Sequence, residues 1–318
     1  MTTYGADTSG PSAGSMTHEA FFYANTNGFL AGAMPFLRAG LDAGGPVLAA
    51  VPAAGIDALQ RALGGEADLV SYVDMTQAGR NPTGIIPMVL QAFAEEHPGR
   101  RTFMIGEPVW PERSAAGYLT AVQHEALINL AFAEQDAAIL CSYGPSGVHA
   151  TAVEDVGRTH PFVLQNGTRN ASVQYADPTT VAATCLLPLP DPPATAETMA
   201  FGAAGLRAIR SLVGTHGTQA GLSEDRIREF QIAVNEVATN TIVHTDGPGR
   251  LRIWRDDDAV VCEIRDEGRI TDPLAGRRRV APDQTDGRGL LLASVMSDLL
   301  QIAVDESGNT IRIHKNID

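Results

Sequence analysis

Cysteine is scarce in this sequence, and long apolar runs are missing. Cys141, Cys185 and Cys262 stand far apart and form no CxxC pair, so neither a disulfide framework nor a cysteine-rich zinc site is predicted. A reducing cytoplasm is the compartment that fits best. No apolar run approaches the roughly 20 residues that a membrane-spanning helix needs. Residues 1–16 hold neither a basic region nor an apolar core, so we expect a disordered polar arm rather than a secretory signal.

Positive charge is also scarce. The net charge is −14, and the deficit is greatest in residues 1–194, which carry 8 basic and 18 acidic side chains. An acidic protein is repelled by phosphate backbones, so the balance disfavours direct binding to nucleic acid.

The length of 318 residues suggests two domains, and 44% apolar with 19% charged residues is typical of soluble globular folds. Four prolines between residues 186 and 196 prevent a helix or strand from running through that stretch. We therefore predict a first domain at 17–184, a linker at 185–196 and a second domain at 197–318.

In the first domain, short apolar runs alternate with helical patterns. Strands are predicted at 46–51, 68–73, 102–105 and 138–143, and helices from Ile56, at 87–96 and at 115–134. Alternation of this kind predicts an α/β fold with a mainly parallel sheet.

The second domain has a different order of elements. Helices are predicted at about 196–213 and from the N-cap Ser223 to about Thr245, followed by strands at 251–255 and 259–265, a helix from Leu290, and two terminal strands joined at 306–309. This order predicts a two-layer α/β sandwich.

The second helix of this domain carries polar residues at helical spacing. Glu236, Asn240 and His244 are four residues apart and therefore lie on one face. A carboxylate one turn from a carboxamide suits a base beside a Mg²⁺ ligand, and a basic ring one turn further suits phosphate. A solvated polar face would explain the same spacing.

Three further motifs follow in order along the chain. Asp266 and Gly268 come after a strand, where a carboxylate can lie at the floor of a pocket. Gly287, Arg288 and Gly289 open a helix, whose free N–H groups favour phosphate. The segment Arg277–Arg279 between them predicts either a phosphate-binding or partner-binding lid, or a solvated basic loop.

Together these motifs resemble the GHKL (Bergerat) ATPase domain of bacterial anti-sigma-factor serine kinases, over residues 197–318. The resemblance implies bound ATP and Mg²⁺, with Glu236 as general base and Asn240 as the Mg²⁺ ligand. It implies that Asp266 and Gly268 meet the adenine. It implies that Gly287 and Gly289 lie beside the phosphates and that the hydroxyl of Thr310 lies near the adenine. His244 and Arg288 are predicted as further nucleotide contacts from their positions in the motifs above.

The same resemblance implies a regulator that binds a sigma factor, or phosphorylates a serine or threonine of a STAS-type anti-sigma antagonist. It also implies a homodimer, for which apolar helix faces around 197–213 would serve, although core packing explains those faces equally well. Ile270 stands where the family usually has glycine, so a pseudokinase scaffold is the alternative. No phosphoacceptor histidine is evident, and no motif predicts a metabolic ATP-dependent enzyme.

Residues 17–180 resemble the MEDS sensory domain, which is thought to have a RecA-like fold. The segments that match include 18–23, 79–82, 106–110, 124–129 and 141–143. The chain lacks GxxxxGK[ST] after its first predicted strand, so a second ATPase site is not expected.

The polar side chains of these segments predict a small-molecule pocket, lined by Arg80, Glu107, Trp110, Arg113, His124 and Glu125, with His18 and Tyr23 as further candidates. The alternative is an ion-pair network of Glu107, Arg113 and Glu125 beside a core Trp110. Cys141 would sense redox state or metal, or serve as a small buried apolar residue.

Overall fold

A computed structural model describes residues 16–110, 113–145, 152–165, 167–186, 188–245, 247–279 and 287–317. The predicted disordered arm, apart from Met16, lies outside these residues. The chain divides into two compact units, one of Met1–Arg80 with Ile85–Ala182 and one of Asn81–Gly84 with Ala183–Asp318.

The first unit is built on a seven-stranded sheet. Its strands are β1 (Thr17–Phe22), β2 (Val47–Val51), β3 (Val70–Asp74), β4 (Thr102–Gly106), β5 (Ala137–Tyr143), β6 (Phe162–Gln165) and β7 (Thr168–Ala171), in the order β3-β2-β4-β5-β1-β6-β7. All neighbouring pairs are parallel except β6 with β7. The predicted α/β fold with a mainly parallel sheet is confirmed.

The helices in this half of the chain are α1 (Thr26–Asp42), α2 (Ala53–Leu63), α3 (Met75–Ala78), α4 (Pro82–Ile85), α5 (Gln91–Glu95), α6 (Ala115–Ala131), α7 (Ala152–Thr159) and α8 (Pro178–Thr184). One core joins α1 and α2 to the sheet through residues such as Leu37, Leu59 and Ile105. The side chains of α6 are buried from Tyr118 to Ile128 except Leu119, and this run includes the polar residues Gln123, His124 and Glu125. A buried helix that carries three successive polar residues must satisfy them internally.

The second unit has a five-stranded antiparallel sheet. Its strands are β8 (Glu197–Phe201), β9 (Gly249–Arg255), β10 (Ala259–Asp266), β11 (Leu299–Asp305) and β12 (Gly308–Asn316), in the order β11-β12-β10-β9-β8, and its helices are α9 (Leu206–Ala220), α10 (Glu224–His244) and α11 (Arg288–Val295). The core joins these helices to one face of the sheet. Val260, Cys262 and Ile264 lie on that face, as the alternation along β10 predicts, so the two-layer sandwich is confirmed.

The prediction of a helix over 196–213 was wrong in its first half. Residues Glu197–Phe201 form β8, which pairs with β9, and the helix begins only at Leu206. Pairing with β9 decides this segment, because an added edge strand gains backbone hydrogen bonds that local propensity does not register. Ile209 and Val213 of α9 are buried in the core, so core packing accounts for the apolar helix face.

Candidate functional site

Helix α10 arranges three polar side chains of the second unit along one face. Ser223 begins the helix, because its Oγ accepts a hydrogen bond from the backbone N–H of Arg226 at 3.4 Å. Val234, Val237 and Ala238 are buried in the core, which fixes the rotation of the helix. Asn240 and His244 consequently line an open cleft, with Glu236 next to it.

Asp266 lies at the end of β10 and is almost completely buried at the floor of this cleft. Its Oδ1 accepts hydrogen bonds from Gly268 N at 3.0 Å and Asn309 Nδ2 at 2.8 Å, and its Oδ2 accepts one from Thr241 Oγ1 at 2.7 Å. An ionised carboxylate has about four acceptor positions. Three are used, so one position on Oδ2 remains to receive a donor from a ligand.

Asn309 is a site residue that the sequence argument did not assign. Its Nδ2 donates to Asp266, while its Oδ1 accepts from the backbone N–H of Ile270 at 2.9 Å. The residue pairs with Asp266 across β10 and β12, and this register could not be read from the sequence. Asn309 therefore holds both the carboxylate and the start of the following loop.

Two glycines allow the backbone to pass close to the polar side chains. A Cβ at Gly289 would lie 3.1 Å from both amide atoms of Asn240 and 3.1 Å from Glu236 Oε2. A Cβ at Gly268 would lie 2.7 Å from Thr245 Cγ2 and 3.0 Å from Asp266 Oδ1. A side chain at Gly268 would force its neighbours to shift, and one at Gly289 would press on the ends of the Asn240 and Glu236 side chains, so glycine favours the close approach at both positions.

The cleft has a volume of about 380 Å³ and an apolar wall. Val237, Ile270, Leu290 and Ile311 line it, and all four contribute to the core or pack against it. A cleft of this size with an apolar wall and a few polar groups is typical of a small-molecule site. Ile270 is thus part of the wall.

Helix α11 begins at the edge of the cleft. Its N-cap, Gly287, has φ +84°, a left-handed conformation that favours glycine, and both Gly287 and Gly289 line the cleft. Arg288 is exposed at the first position of the helix. Among the described residues, Arg288 and Glu236 are not part of the lining, although Glu236 reaches Gly289.

Two predicted positions need correction. Thr310 lies on the opposite face of the sheet, where it borders Arg265 and Arg312, because neighbouring residues of a strand point to opposite faces. Asn309, one position earlier, faces the cleft instead. Arg277 is neither a solvated nor an open lid residue, since it is 1% exposed and its burial lowers the pKa of its guanidinium to about 10. Arg278 is exposed and pairs with Asp272 at 3.2 Å.

In the first unit, the contacts of the predicted pocket residues divide them into three sets. Glu107 accepts hydrogen bonds from Tyr23 Oη at 2.9 Å and Ser142 Oγ at 3.3 Å, and burial raises the pKa of its carboxyl to about 7. Arg113 stacks on Trp110, 3.8 Å from the ring centroid, and donates to the backbone oxygens of Gly79 and Arg80 at 2.8 and 3.3 Å.

The third set contains His124 and Glu125, which lie beside His18, Cys141 and His160. The alternative ion-pair network of Glu107, Arg113 and Glu125 was wrong, because Arg113 donates to carbonyl oxygens and Glu107 accepts from two hydroxyl groups. Trp110 is buried, as that alternative predicted. A ligand pocket formed by these residues remains a prediction.

Comparison with known families identifies both halves of the chain. Residues 17–161 match the family described as "MEDS: MEthanogen/methylotroph, DcmR Sensory domain". Residues 200–315 match the histidine kinase-like ATPase domain. The protein therefore joins a MEDS domain to a histidine kinase-like ATPase domain, as the sequence motifs predicted.

Individual proteins show only distant similarity to this chain. No curated protein matches the chain. Among solved structures, the flagellar accessory protein FlaH from Methanocaldococcus jannaschii is similar at 9% sequence identity and a TM-score of 0.30, over 54% of this chain and 81% of that one. In the described part of the chain, every helix is too short or too polar to cross a membrane.

Proposed function

We propose that the cleft of the second unit binds ATP with Mg²⁺. The observation that carries the proposal is Asp266, whose carboxylate is held by three donors and keeps one acceptor position at the floor of an apolar-walled cleft. This position suits an exocyclic amino group of a purine, and the apolar wall suits its flat ring. A domain of the histidine kinase-like ATPase class implies the same ligand.

The residues around Gly289 fit the phosphate end of the ligand. Oxygen atoms of Glu236 and Asn240 lie 3.1 Å from the position that a Cβ would take at Gly289. Mg²⁺ prefers oxygen ligands of this kind. The helix dipole at the start of α11 and the side chain of His244 add positive potential at the same edge. Bound Mg²⁺-ATP would supply the phosphoryl group, Asn240 would hold the metal, and Glu236 would accept the proton of the attacking hydroxyl.

On this basis the protein is an anti-sigma regulatory factor. It binds a sigma factor, or transfers phosphate to a serine or threonine of a STAS-type antagonist, and the MEDS domain modulates this activity in response to a small molecule or another signal. Support comes from the fusion of a sensory domain to an ATPase domain, and from the retained carboxylate of Glu236 beside Asn240.

Calorimetric titration with Mg²⁺-ATP tests the nucleotide site. Wild type should bind saturably, and Asn240→Ala should bind at least about 10-fold more weakly because a metal ligand is lost. Asn235→Ala is the matched control, since Asn235 lies on the same helix but accepts a hydrogen bond from Arg210 at 2.7 Å. Absence of binding to wild type would refute the proposal.

Phosphate transfer to a purified STAS-type antagonist tests the catalytic step. Glu236→Gln should bind ATP as tightly as wild type and transfer no phosphate, because only the base is removed. A non-catalytic scaffold is the second candidate, favoured by Ile270 in place of glycine. Saturable ATP binding by wild type without transfer to any antagonist would favour the scaffold.

A further inference from the structure

Four side chains that commonly bind metals converge inside the MEDS domain. His18 comes from β1, Cys141 from the adjacent strand β5, Glu125 from α6, and His160 from the residue after α7. One ligand atom from each lies within 4.8 Å of the others, and no residue is more than 3% exposed. The chain folds these residues together from positions up to 142 apart in sequence.

The orientation of His18 is fixed by Asn129. The side-chain Nδ2 of Asn129 donates to the carbonyl oxygens of Ala126 and Thr159 at 3.2 and 2.9 Å, so its Oδ1 is the acceptor. His18 Nδ1 must therefore carry the proton that it donates to this oxygen at 3.1 Å. In the neutral ring, Nε2 then carries a lone pair. This nitrogen lies 3.3 Å from Glu125 Oε2 and 3.5 Å from Cys141 Sγ.

His160 is oriented in the same way. Its Nδ1 lies 3.0 Å from the carbonyl oxygen of Val156, which can only accept, so Nδ1 is the donor. Its Nε2 points to Glu125 Oε2 at 2.9 Å and has no hydrogen-bond partner of ordinary geometry. Neither oxygen of Glu125 accepts a well-directed hydrogen bond from the described residues.

The four side chains are of the types that commonly bind a metal ion. A buried carboxylate has a large unfavourable desolvation energy, and a cation bound among Glu125, the two imidazole nitrogens and the Cys141 thiol would offset it. A metal with bonds of about 2.0–2.3 Å to tetrahedral N, O and S ligands separates those ligands by about 3.3–3.8 Å. The separations of 3.3 and 3.5 Å around His18 Nε2 fall in this range, the 2.9 Å separation at His160 is shorter, and the remaining pairs of ligand atoms lie within 4.8 Å.

A small void borders Glu125 but not the other three side chains of the cluster. A void bordered by Glu125, Tyr143 and Val156 has a volume of about 10 Å³, which is close to the room that one water molecule needs. An occupant of this void would therefore be a water molecule or a single ion. The remaining alternative is a proton, carried by an imidazolium form of His160.

We propose that the MEDS domain binds one divalent transition-metal ion of the Zn²⁺ class through His18 Nε2, His160 Nε2, a Glu125 oxygen and Cys141 Sγ. Binding forms a metal–sulfur bond and releases the thiol proton of Cys141 to solvent. Asn129 and the Val156 carbonyl hold the two imidazole rings in the ligating tautomer. The ion ties β1, β5, α6 and the end of α7 together, so its removal loosens the centre of the domain.

Titration of the metal-free, reduced full-length protein with Co²⁺ tests the site. We expect one ion per chain, a thiolate-to-Co²⁺ charge-transfer band, the intense visible bands of a tetrahedral ion, and displacement by Zn²⁺. A hundredfold excess of Zn²⁺ over its Kd should raise the melting temperature of the domain by about 5–10 °C. Folded wild type that binds no Co²⁺ would overturn the proposal and leave the protonated cluster.

Two variants assign the ligands. Cys141→Ser should lose the charge-transfer band, whereas the matched control Cys185→Ser should keep it, because Cys185 lies outside the cluster. His160→Gln should keep the band and bind Co²⁺ at least about 10-fold more weakly, since one ligand is lost. If Cys141→Ser does not fold, His160→Gln and the wild-type titration decide the outcome. A charge-transfer band that survives in folded Cys141→Ser would also overturn the proposal.

Discussion

Asp266 in the ATPase domain and Glu125 in the MEDS domain are both buried carboxylates, but their surroundings differ. Asp266 receives three directed hydrogen bonds and borders an open cleft. Glu125 is enclosed by His18, His124 and His160, lies beside Cys141 and Tyr143, and receives no hydrogen bond of ordinary geometry from the part of the chain that the structure describes. The difference lies in the neighbours: hydroxyl and amide groups can always donate, whereas a neutral imidazole that already donates through Nδ1 offers only a lone pair.

This comparison shows how the partners of a carboxylate indicate its ligand. A carboxylate with its donors in place and one acceptor position open to a cleft can recognise an organic molecule by a hydrogen bond. A carboxylate buried among imidazole nitrogens and a thiol has the neighbours that favour a metal ion, as we propose for Glu125. Asp266 ends a strand and Glu125 lies within a helix, but both are acidic side chains, so residue type alone does not separate the two cases.

Removing Asp266 should give the largest effect. Asp266→Ala leaves the donors of Thr241, Asn309 and Gly268 without their acceptor, so we expect the domain to lose on the order of 3 kcal/mol of unfolding free energy. ATP affinity should fall by about 10–100-fold, because a charged hydrogen bond is lost. Urea unfolding and calorimetry measure the two effects. Asp257→Ala, in an exposed turn, is the control, and equal effects in both variants would contradict the role of Asp266.

Glu107 is a third buried carboxyl group, and its effect on the stability of the MEDS domain should depend on pH. Burial raises the pKa of its carboxyl from 4.5 to about 7. The hydrogen bonds from Tyr23 and Ser142 lower this pKa, but their effect is smaller than that of burial. Between these two values the unfolded chain releases the proton and the folded domain keeps it, so stability falls as pH rises from 4.5 to 7. The contribution is about 3 kcal/mol, fully present below pH 4.5.

Urea unfolding at a series of pH values measures this effect. The sequence has two tryptophans, so a Trp254→Phe background leaves Trp110 as the reporter of the MEDS domain. Glu107→Gln cannot titrate and should flatten the pH profile relative to the parent. An unchanged profile would mean that Glu107 is ionised throughout the range.

Substitution of Arg113 tests whether the contacts of a buried guanidinium stabilise the MEDS domain. It donates to two backbone oxygens and stacks on Trp110, while burial lowers its pKa to about 9. Arg113→Ala should cost about 2 kcal/mol of unfolding free energy, because the carbonyl oxygens lose a charged donor and the ring loses its stacking partner. Arg113→Lys should recover less than half, since an ammonium lacks the planar fork. Full recovery by lysine would show that charge alone matters there.

The smallest expected effects on ATP affinity distinguish the roles of Thr310 and Asn309. Thr310→Val should change ATP affinity by less than about 2-fold, because the side chain lies on the opposite face of the sheet. Asn309→Ala should weaken ATP binding by about 10-fold, since Asp266 loses one donor and Ile270 N loses its acceptor. Calorimetric titration of both variants measures the contrast. A larger loss in Thr310→Val would contradict the assigned face.

Local sequence patterns predicted those helices and strands that depend on interactions between nearby residues. Helix α10 begins at its N-cap Ser223, and the alternation of β10 places Val260, Cys262 and Ile264 in the core. The segment 197–201 was misassigned because its strand depends on pairing with β9, about 50 residues later in the chain. His160 was overlooked for the same reason, as nothing in its neighbourhood marks it as a partner of Glu125.

The sequence by itself determined the two-domain order, the layers of each fold, and the glycine and acidic motifs of the nucleotide cleft. These features follow from residue periodicity and from steric needs that act over a few residues. Only the tertiary structure decided that Asn309 rather than Thr310 supports Asp266, and that His18, Glu125, Cys141 and His160 form one cluster. Strand register and helix packing set these contacts, and both arise from interactions between residues far apart in the chain.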